Sequence, residues 1–296
     1  MTHVASPTPI LVYQLGKVGS TSVHSSLVAW GGRPCHHLHV LNPVHYVPWL
    51  AEAEPGGDTH QKLSLGKRLY EEVVSHGLPM DVVTLVRDPV ARNISDFFQN
   101  FAMYMGADPL ARRASQAEME AAFFRDHLRR VPLEWFDIEL KPVLGIDVYA
   151  QSFPHAQGWQ RLACGPRRVL ILRAELDDAV KAAVLGEFLD IPGFTLTRDN
   201  EGEQKEYRDL YRAFREDIRF PAWYLEEMYG SRFARHFYSA AEITRFRRRW
   251  RPREGEALGR SVTGTFPATS TPLTRGDVGV GPTRPGHGNA HCLAKV

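Results

Sequence analysis

The chain predicts an α/β protein in which a central parallel sheet carries helices on both faces. Three observations lead there. Short apolar runs recur at ILVYQL (Ile10–Leu15), DVVTLV (Asp81–Val86) and RRVLILR (Arg167–Arg173), as strands buried on both sides should read. Each run is followed by apolar residues at helical spacing. Parallel strands need such crossovers, so the alternation itself argues for them.

In chain order, Ile10–Leu15 ends at Gly16 and leads to a helix at Ser20–Trp30, with Val23, Leu27 and Trp30 at helical spacing. HHLHV (His36–Val40) reads as a short second strand. Asp81–Val86 is the strongest buried-strand signal, and Pro89 follows at a good first-turn position. Val90–Phe101 then has helical spacing through Ile94, Phe97, Phe98 and Phe101, and Ser115–Arg130 reads as a further helix. Arg167–Arg173 precedes a helix near Ala179–Leu189, and Lys205–Phe214 and Pro221–Tyr229 complete the helical set. Sheets of this kind bind ligands beyond the carboxyl ends of their strands.

The 296 residues hold 36 Lys+Arg against 34 Asp+Glu, a net charge of +2 with His neutral. That balance excludes a broad polyanion surface, so no nucleic-acid partner is expected and any anion site is local. A hydrophobic fraction of 43% excludes disorder throughout. Cys35, Cys164 and Cys292 form no CxxC pair, which argues against a zinc site or disulfide framework and for a cytoplasmic setting. No signal peptide is evident, and no stretch approaches the roughly 18 apolar residues of a membrane span. The expected organisation is a flexible start at 1–8, one domain at 9–253 and a disordered tail at 254–296, rich in Gly, Pro, Thr and Ser. TRFRRRWRPR (Thr244–Arg253) reads as a solvated helix end or as a patch for an acidic polymer.

Two stretches carry chemistry. In YQLGKVGSTSVHSSL (Tyr13–Leu27) a strand runs through a glycine loop into a helix. Gly16 and Gly19 allow close backbone approach, and the amides of Gly19, Ser20 and Thr21 open from a helix N-terminus that favours anions. Lys17 adds a full charge; Ser20 and Thr21 add hydroxyl donors. This is a phosphate or sulfate cradle, not the nucleotide-hydrolase loop, because no Gly-Lys-[Ser/Thr] run closes it. In VVTLVRDPVARNISDFF (Val82–Phe98), Arg87 stands at a strand end, Asp88 is placed to cap the next helix, and Ser95 lies eight residues on from Arg87. Arg87 and Ser95 together suit a second, separate phosphate. Arg92 reads as a phosphate contact or as an exposed helix charge.

LGKVGSTS followed by VRDPVARNISDFF resembles the two cofactor motifs of sulfotransferases that use 3′-phosphoadenosine 5′-phosphosulfate, and is more similar to the carbohydrate enzymes than to the small-molecule ones. The resemblance implies a P-loop-like sulfotransferase fold. It also implies that Gly16, Lys17, Val18, Gly19, Ser20, Thr21 and Ser22 hold the 5′-phosphosulfate, while Arg87 and Ser95 hold the 3′-phosphate. Later stretches, including WFDIELKPVLGIDVY (Trp135–Tyr149) and NEGEQKEYRDLYRAF (Asn200–Phe214), are similar to bacterial proteins labelled as capsular polysaccharide synthesis proteins. Their Asn…Lys-x-Tyr motif matches Asn200, Lys205 and Tyr207, and Lys205 and Tyr207 are read as a lid over the nucleotide or as a plain amphipathic helix start. This resemblance spans roughly residues 9–250.

Sulfuryl transfer needs in-line positioning, stabilised charge and a base for the acceptor proton. CHHLHVLN (Cys35–Asn42) is the candidate segment for the base, and it is similar to the His-rich strand of uronyl 2-O-sulfotransferases. His39 is the first choice and His37 the second; strand alternation puts both on one face and His36 on the other. His24 and His45 read as structural or surface residues. Glu134, Asp137, Glu139 and Lys141 read as a salt-bridged face or as acceptor contacts, and Arg173 and Glu175 as site residues or as each other's partners. The expected activity is transfer of a sulfuryl group to a carbohydrate hydroxyl, with adenosine 3′,5′-bisphosphate as product and no metal, since Lys17 and backbone amides meet the charge. A P-loop nucleotide kinase and a non-catalytic polysaccharide-binding protein are the alternatives.

Overall fold

A computed structural model describes residues 7–106, 114–126, 130–197 and 207–251. The expected tail, the first six residues and Lys205 lie outside the described residues. Five strands, β1 (Ile10–Tyr13), β2 (Cys35–Leu38), β3 (Met80–Val86), β4 (Trp159–Cys164) and β5 (Arg167–Arg173), form one sheet in the order β2-β1-β3-β5-β4. All neighbours are parallel except β4, which pairs antiparallel with β5. The helices are α1 (Ser20–Trp30), α2 (Pro43–Glu52), α3 (Asp58–Leu69), α4 (Pro89–Gln99), α5 (Phe101–Met105), α6 (Gln116–Asp126), α7 (Val131–Trp135), α8 (Lys141–Leu144), α9 (Asp178–Leu189), α10 (Arg208–Asp217), α11 (Ala222–Tyr229), α12 (Arg232–Phe237) and α13 (Ala240–Trp250). A π turn, Phe136–Leu140, joins α7 to α8.

The alternation of side chains along each strand decides which helices cover which face. Ile10, Val12, Val83, Leu85, Leu170 and Leu172 pack against Val23 and Leu27 of α1 and Leu185 and Phe188 of α9. Leu11, Tyr13, Val82, Val86, Val169 and Ile171 face the larger core, built with Phe97, Phe98, Phe214, Tyr224 and Trp250. The sheet is therefore covered on both sides, as α/β patterning requires.

Gly66 on α3 sits against β2's continuation: a Cβ there would meet the Val40 carbonyl oxygen at 2.8 Å, so only glycine fits. At the amino ends of the strands, Asp81 holds Arg33 at 2.5 Å and Arg168 at 2.6 Å, while Arg33 also donates to the Thr8 carbonyl at 2.8 Å. That clamp ties the start of β1 to β3 and β5, away from the chemistry-bearing loops. Among the described residues no helix is long and apolar enough to cross a membrane.

Several expectations need correction. The second strand is Cys35–Leu38, so His39 lies just beyond it and strand alternation does not set its direction. The helix expected across Val90–Phe101 breaks at Asn100 into α4 and α5. β4 went unpredicted because it is an edge strand with one covered face, and its WQRLAC sequence lacks a continuous apolar run. Arg92 is neither exposed nor open to a ligand: it is 1% exposed and donates to the Gly16 carbonyl at 3.1 Å and to Asp96 at 3.2 Å. Arg173 and Glu175 do not pair with each other. Arg173 holds Glu242 at 2.8 Å, and Glu175 accepts from the Asp88 amide at 2.8 Å.

Candidate functional site

The order β2-β1-β3 places a switch point between β1 and β3, because the chain leaves β1 toward one side and returns on the other. Crevices form beyond the carboxyl ends of strands at such points. The Lys17 loop leaves β1 there, and Arg87 leaves β3 there.

The loop is shaped by two left-handed residues, Lys17 at φ 72° and Gly19 at φ 82°. Lysine rarely adopts that conformation, so Lys17 carries local backbone strain. Gly19 followed by helical Ser20 is a pair of opposite hand, which turns successive amides toward one concave point that suits an anion. No side chain caps α1. The Ser20 hydroxyl, which would cap many helices, instead meets His37 Nε2 at 2.9 Å. The loop carbonyls are pulled the other way: Arg92 takes that of Gly16, and Arg87 Nη1 takes that of Lys17 at 2.8 Å. The two stretches read from sequence as separate anion sites therefore touch. Lys17 Nζ donates to Gln99 at the end of α4 at 3.0 Å. Ser95, half-buried on α4, lies one turn before Phe98, against which Tyr207 packs with ring centroids 5.9 Å apart.

Sequence reasoning missed Arg215, and read Arg249 only as part of the basic Thr244–Arg253 stretch. Arg215 of α10 and Arg249 of α13 lie within electrostatic reach of each other, and Arg215 also of Arg87. Burial, then these like charges, hold Arg215 below the ordinary guanidinium range. Its Nε is buried and has no hydrogen-bond partner among the described residues. The carboxylate facing this group, Asp88, is already engaged: it caps α4 through the Val90 amide at 3.0 Å, and accepts from Tyr229 at 2.7 Å and from Trp250 Nε1 at 3.3 Å. Three guanidinium groups thus gather where β3 ends, with the Asp88 and Glu175 carboxylates beside them.

The two candidate bases differ sharply. His37 Nε2 is taken by both Gln14 and Ser20, each at 2.9 Å. Burial, followed by His39 and His24 beside it, pushes its pKa down to about 2. His39 Nδ1 bonds the Gln14 carbonyl at 2.7 Å, so Nδ1 carries the proton and Nε2 the lone pair. Burial, with Lys62, Arg92 and Lys17 adding to it, lowers His39 to about 4, and it stays neutral near pH 7. The rings of His37 and His39 meet edge to face at 4.9 Å.

These shifts fix a pH dependence. The unfolded chain takes up these protons as pH falls through about 6.5, whereas folded His39 resists until about 4. Stability attributable to these rings is complete above about pH 6.5 and declines as pH falls below it. Urea unfolding at about pH 7.5 and about pH 5 should show that loss in the wild type and a smaller loss in His39→Gln. An equal loss in both proteins would remove His39 as its source.

Glu139, expected from sequence on a salt-bridged face or at an acceptor contact, is instead a buried organising group. It sits in the π turn with no exposure and accepts from Tyr13 at 2.5 Å, the Leu41 amide at 3.0 Å and the Asn42 amide at 3.1 Å, and it bonds His45 Nδ1. Trp135 Nε1 donates to the His39 carbonyl at 3.3 Å. The Trp135–Glu139 segment therefore fixes the path of residues 39–45. Among the described residues no cluster of His, Cys, Asp and Glu is arranged to hold a metal.

A family model described as "Putative capsular polysaccharide synthesis protein" matches residues 117–239, less than half of the chain. No curated protein and no solved structure matches. The matched stretch begins after Lys17, Arg87 and Ser95 and contains Glu139, Tyr207 and Arg215. What the comparison supports is a polysaccharide-related role carried by an α/β chain with a mostly parallel five-stranded sheet.

Proposed function

We propose that this protein transfers a sulfuryl group from 3′-phosphoadenosine 5′-phosphosulfate to a hydroxyl of a carbohydrate, on a P-loop-like sulfotransferase fold. The observation that carries the reading is the meeting of the Lys17 loop and Arg87 at the switch point, with Arg215 and Arg249 beside them. A nucleotide with phosphate at both ends suits such a pair of adjoining cationic places. The unpartnered Arg215 Nε fits a phosphate oxygen, which would offset the repulsion among the guanidinium groups. The family match supports the acceptor class, since it concerns polysaccharide synthesis.

Each residue has a distinct task. The Gly19–Thr21 amides and Lys17 meet the charge on the phosphosulfate. Arg87 and Ser95, with Arg215, hold the 3′-phosphate. His39 Nε2 takes the acceptor proton while the acceptor oxygen bonds sulfur and the bridging sulfur–oxygen bond breaks, its electrons leaving with adenosine 3′,5′-bisphosphate. His37 holds Ser20 and Gln14 in place rather than moving a proton, because its Nε2 is occupied. Tyr207, which packs against Phe98, is assigned a contact to the nucleotide.

Thermal shift with adenosine 3′,5′-bisphosphate and with ATP–Mg²⁺ tests the donor class, and a labelled donor offered with a glycan panel tests transfer. Stabilisation by the bisphosphate is expected; selective stabilisation by ATP–Mg²⁺ would sink the proposal in favour of a kinase. His39→Ala should lose about 10²–10⁴-fold in turnover with donor affinity nearly unchanged. Equal losses in both would make His39 a packing residue.

A further inference from the structure

His45 and Glu139 form a carboxylate–imidazole pair that the donor site does not use. Glu139 is fully buried, and three donors besides His45 hold it in place: the Tyr13 hydroxyl and the amides of Leu41 and Asn42. A carboxylate fixed so firmly also fixes the ring it bonds. With Glu139 engaging Nδ1, the neutral ring presents Nε2 as an acceptor, and Nε2 has no hydrogen bond among the described residues. The His45 side chain is 14% exposed, so the ring reaches solvent.

Two observations say what such a ring would meet. It is stacked at 30° on Trp49, one turn along α2, with centroids 6.1 Å apart. Sugars combine hydroxyl groups with apolar C–H faces, and an imidazole acceptor beside an indole suits both. The second observation is position. His45 follows His39 by six residues on a segment whose path Trp135 and Glu139 fix. An acceptor held at His45 thus lies along the same strip of chain as the proposed base.

We propose that His45, oriented by Glu139 and flanked by Trp49, is a carbohydrate-acceptor subsite in which Nε2 accepts a hydrogen bond from a sugar hydroxyl. It rests on the reading of the protein as a carbohydrate sulfotransferase, and its test separates the two. Saturation-transfer NMR with neutral hexose, hexosamine and hexuronic acid oligosaccharides reads acceptor binding without any transfer. Adenosine 3′,5′-bisphosphate binding reads the donor site and the integrity of the fold. In His45→Ala, oligosaccharide affinity should fall about tenfold, the loss of one hydrogen bond, with bisphosphate affinity unchanged. Where transfer is measurable, acceptor KM rises with little change in kcat. His45→Gln, which keeps an acceptor atom, should recover part of the affinity. Unchanged oligosaccharide binding in His45→Ala, no binding of any oligosaccharide by the wild type, or equal loss of both ligands would each overturn the subsite. A wild type that binds oligosaccharides through His45 yet transfers nothing would leave the subsite standing and defeat the transferase reading.

Discussion

Glu139→Ala should cost about 3–5 kcal/mol of folding stability, the range found when one partner of a buried ionic or hydrogen-bonded group is removed. The carboxylate is completely buried and satisfies the Tyr13 hydroxyl and two amides at once. Without it, those donors stay buried and unpaired, and each pays its desolvation cost. A total stability of about 5–15 kcal/mol leaves little margin for such a loss. Urea unfolding checks the figure. Glu139→Gln should cost less, since its carbonyl oxygen still accepts from part of the set. A change within about 1 kcal/mol for the alanine would mean that water fills the gap and that Glu139 does not organise residues 39–45.

Lys17→Ala should lower kcat/KM for sulfuryl transfer by about 10²–10³-fold, the effect of removing one preorganised charge-stabilising donor. Lys17 stands in the loop beyond β1, beside the open N-terminus of α1, where developing charge on the transferred group would be met. Bisphosphate affinity should fall less than turnover, because the amides after Gly19 and the Arg87 group remain. The left-handed backbone at Lys17 suits alanine no worse than lysine, so the variant reports on the ammonium rather than on the loop. Transfer that survives the substitution would sink Lys17 as the charge-stabilising residue.

Much of the fold could be read from sequence because its three central strands are buried. A buried parallel strand has to be apolar throughout, and β1, β3 and β5 announce themselves that way. β4 did not, since only alternate residues of an edge strand face the core. In the candidate site, Lys17, Arg87 and Ser95 could be proposed from sequence because loop chemistry demands particular residues at fixed spacing. The Arg87–Lys17 contact and the approach of Arg215 were not, because they join segments 70 residues apart or more, and no local pattern records that. Glu139 did leave a trace: it lies between Phe136 and Leu140, whose spacing with Val143 marks the inward face of a helix. A carboxylate on an inward face needs partners, and that was the signal to follow. The same test applied to Arg92, between Val90 and Ile94, points to a buried charge rather than a ligand contact.

Asp88 has a consequence for how this chain is divided. A single carboxylate at the end of β3 receives the start of α4, Tyr229 from α11 and the Trp250 indole from the last described helix. Trp250 is wholly buried, and the stretch that matches the polysaccharide family stops short of it. That stretch also begins after β1, β2 and β3, so by itself it would retain only the antiparallel β4–β5 pair. What the family match marks is a portion that borrows its sheet from the residues before it and its final indole from the residues after it. Expressed alone, it would have neither the shelf on which Arg87 stands nor the lock that holds the last helix against that shelf.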